Sequence, residues 1–173
     1  PRYIDIFKLK YDYHNVKSIL KAQAMNVSPD RMLMDMGRVP AAVLKDAILG
    51  GKLDELPENL ANAAAEAKDT LDAARDPQLS DIVLDRWCYQ EMIQAAEDTG
   101  SAFLAGYVQA QIDASNLRSL VRTIRMGKSV EFLKAVLMEG GDVETSAMIS
   151  VGAAGGTGLT ELYDPTRFQS AAE

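Results

Sequence analysis

At 173 residues, with a formal charge of −7 and a single cysteine, the chain can bury about 70% of its unfolded surface in one core and cannot form an internal disulfide. A pI near 4.8 without any local basic cluster excludes a nucleic-acid surface, and the lone Cys88 fits a reducing compartment. The longest apolar runs fall far short of the roughly 20 residues that cross a bilayer, and no signal peptide is visible.

Ala, Leu, Met, Lys, Glu and Gln are plentiful, aromatics are few, and alternating β-branched runs are missing, so the fold class is all-α. A first long helix is expected from about Tyr3 to Met25. "NVSPDR" interrupts it, and Ser28 as N-cap with Pro29 behind it predicts a short successor that stops at Gly37. "VPAAVLKDAILGG" predicts a second short helix, opened by Pro40 and ended by Gly50 and Gly51. A helix follows in "LPENLANAAAEAKDTLDAA", with Pro57 near its start. The next is "RDPQLSDIVLDRWCYQEMIQAAEDTG", capped by Asp76 and terminated at Gly100. Its Leu79, Ile82, Val83, Arg86, Gln90 and Ile93 trace a stripe of mixed polarity. Ser101 caps a further long helix, Ser129 opens the short "VEFLKAVLMEGG", and "ETSAMISV" predicts another. The chain reads as long helices followed by short ones, in a single all-α domain over 1–173.

Two stretches repeat one another: "DYHNVKSILK" from Asp12 and "DASNLRSLVR" from Asp113. With Asp12 as the angular origin and 100° per residue, Asn15 falls at about −60°, Val16 at about +40° and Ile19 at about −20°. Asp12 and Asn15 therefore share the apolar stripe, as do Asp113 and Asn116 beside Leu117 and Leu120. Lys17 and Lys21, and likewise Arg118 and Arg122, point away. A carboxylate or amide on a buried face costs about 1–3 kcal/mol if unsatisfied, and more for a charge. Asp12, Asn15, Asp113 and Asn116 thus require partners, either backbone groups or an arginine on neighbouring helices, and are read as a structural polar network that fixes helix register. Leu33, Gly37, Val39 and Leu44 then correspond to Leu137, Gly141, Val143 and Met148. This is a supersecondary repeat with one unit over about 1–100 and a partial second unit over about 101–173.

Other candidate sites yield bland readings. His14 is the only histidine, with no His/Cys cluster to make a metal site, and reads as half-buried or exposed. Asp81 and Asp85 lie four apart but read as exposed acids near a helix start, beside Arg86, with Asp85 a possible partner of the buried network. "GAAGGTG" at 152–158 lacks the lysine of a phosphate loop and reads as a flexible connection. Cys88 reads as packing. No nucleophile, acid/base, metal or cofactor constellation emerges. The outward bases Lys17, Lys21, Arg118, Arg122 and Arg125 are the candidate partner contacts, weighed against an ordinary solvated face.

The repeated "YDYHNVKSILKA" and "IDASNLRSLVRTIR", the glycines after each, and "LDRWCYQEMIQAA" between them carry a family resemblance. Up to about Ile149 the chain resembles the C subunits of the bacterial and archaeal V/A-type ATPases, counterparts of the d subunit of eukaryotic V-ATPases. Family members are roughly twice this length and built from three related helical units, so the chain looks like a central fragment whose tail from Gly152 matches poorly. The resemblance implies a non-catalytic, funnel-shaped rotor socket between the central stalk and the membrane proteolipid ring. It implies a location on the cytoplasmic face of the membrane, with no transmembrane segment of its own. It also places Asp12, Asn15, Lys17, Asp113, Asn116 and Arg118 at recurring structural positions. A free-standing helical-repeat adaptor that binds a partner peptide is the alternative.

Overall fold

The computed structural model describes residues 2–164, and within them every regular element is helical. Eight α-helices follow one another: α1 (Arg2–Ala24), α2 (Ala41–Gly50), α3 (Glu58–Ala74), α4 (Pro77–Thr99), α5 (Ala102–Arg125), α6 (Val130–Val136), α7 (Thr145–Ala153) and α8 (Leu159–Tyr163). They form two compact units that meet in sequence between Gly100 and Ser101. The local signals at this junction are strong. Gly100 closes α4 in the left-handed conformation, and the Ser101 hydroxyl accepts the Leu104 N–H at the start of α5.

In the first unit α1 packs against α2, α3 and α4, and α3 against α4. Three cross-helix polar contacts fix the direction of α1 and α4. The Tyr13 hydroxyl donates to Glu91 at 2.9 Å, Lys17 pairs with Asp85, and Lys21 pairs with Asp81 at 2.5 Å. As α1 advances, its partners on α4 retreat, so the two helices are antiparallel. Ile6, Leu9, Val16, Ile19 and Leu20 of α1 are buried, as are Leu60, Ala63, Ala64 and Ala67 of α3. The Ser80 hydroxyl donates to the Ala67 carbonyl at 2.9 Å, where α4 begins beside the alanine seam of α3.

The buried seam of α4 is Ser80, Leu84, Cys88, Met92 and Ala96. The stripe expected from Leu79, Ile82, Val83, Arg86, Gln90 and Ile93 is not the buried one, and Arg86 and Gln90 are exposed. Because α4 is packed by α1 on one side and α3 on the other, both flanks are half-covered. The residues between them sink deepest, whatever their polarity.

In the second unit α5 carries α6 and α7, and α8 packs on α7. Leu120, Leu133 and Met148 are fully buried. Gly152 marks their junction: a Cβ there would lie 2.3 Å from Leu133 Cδ2 and 3.3 Å from Leu120 Cδ1. The glycine-rich stretch expected to be a flexible connection is an ordered element. It holds the last residues of α7, a turn, and the entry to α8, and a Cβ on Gly156 would lie 3.5 Å from Ile124 Cδ1. Residues 165–173 of the tail lie outside the described residues.

Two short helices end earlier than their sequences suggest. The successor to α1 is only a 3-10 turn over Asp30–Met32, where a helix was expected to run to Gly37. Similarly, α6 stops at Val136, with Leu137 extended. In both places the following backbone is pulled out of helical form by side chains of the preceding long helix.

Candidate functional site

The two copies of the Asp–Asn pair build the same device. Asn15 lies on α1, fully buried, and grips Met34 from both sides: its amide donates to the Met34 carbonyl at 2.8 Å, and its oxygen accepts the Met34 N–H at 2.8 Å. One turn earlier, Asp12 accepts the backbone N–H groups of Arg38 and Val39 at 2.9 and 3.1 Å. On α5, Asn116 donates to the Met138 carbonyl at 2.7 Å and accepts the Met138 N–H at 2.9 Å. Asp113 accepts the N–H groups of Asp142 and Val143 at 3.0 and 3.2 Å. Each long helix thus reads the backbone of the segment that follows it, as a neighbouring strand would. The carboxylates find compensation in amide donors rather than water, which is how a buried charge is tolerated.

This geometry explains the glycines. A Cβ on Gly37 would lie 2.0 Å from Asp12 Oδ1, and one on Gly141 would lie 2.1 Å from Asp113 Oδ1. Any side chain at either position would occupy the space of the carboxylate. A further pair of acids completes the device. Asp35 accepts the Ala41 N–H at the start of α2 at 3.1 Å, and Glu139 accepts the Thr145 hydroxyl at the start of α7 at 2.6 Å. These two contacts, a backbone cap by Asp35 and a side-chain bond by Glu139, went unread in the sequence. Both acids stand six residues before the first residue of a short helix and 104 apart, the spacing that already relates Gly37 to Gly141, and that spacing was the available signal.

The partners expected on neighbouring helices are therefore mostly backbone groups of connecting segments. One arginine does join them, but only in the first copy. Arg38 Nε meets Asp12 Oδ2 at 3.0 Å and its Nη1 meets Glu91 at 2.8 Å. Burial works against the Arg38 charge, and the hydrogen bonds to Asp12 and Glu91 outweigh it, raising its pKa. Burial, then the Glu91 charge and hydrogen bond, also push the Tyr13 hydroxyl far above its usual range. A clamped loop, α4 and α1 are thereby tied in one polar circuit.

The bases fall into two groups. Lys17 and Lys21, expected to point outward, are engaged by Asp85 and Asp81 of α4 and only half-exposed. The apolar stripe of α1 faces its own clamped loop, while the flank that looked free in the sequence is covered by α4. Asp81 and Asp85 are accordingly lysine partners rather than solvated acids beside Arg86, and Asp85 takes no part in the buried network. Arg118, Arg122 and Arg125 are exposed. His14 Nε2 donates to the Met32 carbonyl at 3.0 Å, in an exposed contact. Cys88 is buried among α4 neighbours, and burial with the Asp85 charge pushes its thiol up to about 12. Among the described residues no group of His, Cys, Asp and Glu could hold a metal ion, and no helix is long and apolar enough to cross a membrane.

The arrangement therefore offers rigid backbone capture, with its carboxylates saturated by amides and cations. The family model described as ATP synthase (C/AC39) subunit matches residues 1–170, further than the sequence motifs reached. The chain is also similar to the C subunit of the V-type sodium ATPase of Enterococcus hirae, 27% identical over 150 residues. That match covers 87% of this chain and 46% of the relative, so the chain spans about half the relative's length. No solved structure matches it.

Proposed function

The chain belongs to the ATP synthase (C/AC39) subunit family, and from that premise we propose that it serves as a non-catalytic rotor socket of a V/A-type ATPase. In this role it couples the central stalk to the membrane proteolipid ring on the cytoplasmic face, during ATP-driven or ATP-forming ion transport. The observation that carries the reading is the doubled backbone clamp. Asp12, Asn15, Asp113 and Asn116 are spent entirely on holding connecting segments against long helices. A part that transmits torque needs its loops fixed to its helices, and buried, fully satisfied polar networks specify one arrangement. The family membership supports the complex, and the saturated carboxylates favour a mechanical over a chemical task.

The test is binding of this chain to the purified central-stalk proteins of the same organism, followed by interferometry. A saturable complex at micromolar concentration is expected. Absence of any complex at that concentration would refute a stalk contact within these residues.

A further inference from the structure

Methionine is usually a core residue, yet Met32, Met34 and Met36 follow at alternate positions and are 42%, 44% and 57% exposed. Met92, Met138 and Met148 are buried. The exposed three lie on the segment that the first clamp holds. His14 donates to the Met32 carbonyl, Asn15 grips the Met34 N–H and carbonyl, and Asp12 accepts the Arg38 and Val39 N–H groups. All of these bonds go to backbone atoms, so the thioethers stand in solvent on a pinned main chain. The second copy isolates what is special here. Asn116 grips Met138 in the same way, but that methionine is 6% exposed. The grip is shared, and access to solvent is what differs.

We propose that Met32, Met34 and Met36 form a site of reversible sulfoxidation by hydroperoxides, which turns the exposed face of the clamped segment from apolar to polar without loosening the fold. The thioether sulfur attacks one peroxide oxygen, a sulfur–oxygen bond forms as the oxygen–oxygen bond breaks, and the proton of the transferred hydroxyl passes to the departing oxygen. That oxygen leaves as water or an alcohol. Sulfur gives up two electrons and the peroxide takes them. A thiol-dependent sulfoxide reductase reverses the step by returning two electrons and two protons, with the oxygen leaving as water. Susceptibility follows exposure, and a sulfoxide in a core disrupts packing. On this segment the cost is small, because Asn15, His14 and Asp12 hold the main chain whatever the oxidation state of the side chains. Met138 is the opposite case: its sulfoxide would sit in the core of the second unit, and burial shields it.

The test is a time course of the full chain in hydrogen peroxide at neutral pH, read by peptide mapping and mass spectrometry. Met32, Met34 and Met36 should oxidise at least ~10-fold faster than Met92, Met138 and Met148, which react only through local opening. The oxidised chain should keep its thermal melt and elute earlier from a hydrophobic-interaction column. Sulfoxide reductases for both epimers, with a dithiol, should restore the original elution. Met25 and Met126 are also exposed, at 71% and 55%, so a variant carrying Met32→Leu, Met34→Leu and Met36→Leu assigns the change. It keeps the apolar face, should melt as the parent does, and should lose most of the peroxide-induced shift in elution. Equal rates at exposed and buried methionines overturn the proposal. So does a melt that falls as the three sulfoxides form, an elution shift that survives in the leucine variant, or a shift that the reductases do not reverse.

Discussion

Replacing Asn116 with alanine removes both grips on Met138 at once. The Met138 residue is 6% exposed, so its stranded N–H and carbonyl gain little from water. Each unsatisfied buried group costs about 1–3 kcal/mol, and partial relaxation of the segment brings the sum to about 2–4 kcal/mol. In a unit of this size each kcal/mol moves the midpoint by about 4–8 °C, so the melting temperature of the second unit should fall on the order of 10 °C or more. Thermal unfolding followed by circular dichroism, with urea unfolding for the free energy, measures it. Asn15→Ala supplies the scale: Met34 is 44% exposed, water can replace the lost amide, and the loss should be smaller by about 1 kcal/mol. Asn116→Asp keeps the acceptor but aims a carboxylate oxygen at the Met138 carbonyl, so it should be no better than alanine. A loss below about 0.5 kcal/mol for Asn116→Ala, or an aspartate tolerated at neutral pH, would refute the backbone clamp as a source of stability.

Gly37→Ala and Gly141→Ala should each cost about 1–3 kcal/mol or more, because their Cβ atoms would invade the Asp12 and Asp113 carboxylates at 2.0 and 2.1 Å. Gly50→Ala, with nothing within 4 Å of its Cβ, should be neutral or stabilising by up to about 1 kcal/mol in the same urea series, and equal losses at all three would refute the steric reading. Cys88, its thiol pushed up to about 12 by burial and Asp85, should resist iodoacetamide in the native chain at pH 8 and react at once in urea. Rapid native alkylation, read by mass spectrometry, would show that α4 opens readily.

What the sequence made legible was local. Asp76, Ser101 and Ser129 cap the helices they precede, and Gly51 and Gly100 close helices in the left-handed conformation. A cap needs only two or three residues of context. The all-α class followed from composition and from the placing of such caps. The burial of Asp12, Asn15, Asp113 and Asn116 was also within reach of a helical wheel. Their bonding partners were not, because those bonds span 19 to 30 residues. The same contacts explain the misjudged helix ends: local propensity would carry a helix past Met32 or Val136, but Asn15 and Asn116 take the backbone groups it would need. Lys17 and Lys21 were misplaced for a related reason. A wheel ranks positions by polarity, whereas α4 brought Asp85 and Asp81 to meet them and covered a charged flank.

The differences between the two copies separate what the device requires from what one unit adds. Both retain the aspartate on two backbone amides, the asparagine on one residue's N–H and carbonyl, and the close-approach glycine. At the position of Arg38 the second copy has Asp142, and at the position of Tyr13 it has Ala114. Arg38 and Tyr13 are the two residues that meet Glu91 of α4 in the circuit that runs from Asp12 through Arg38 and Glu91 to Tyr13. Removing only one of them would strand a buried charge or hydroxyl at a cost of a few kcal/mol. The backbone clamp, by contrast, survives, with the Asp142 and Val143 amides holding Asp113 where an arginine helps to hold Asp12. Clamp and glycine are therefore the minimal unit that turns a long helix and its following segment into one rigid piece, and the arginine circuit is how the first unit fastens that piece to a covering helix.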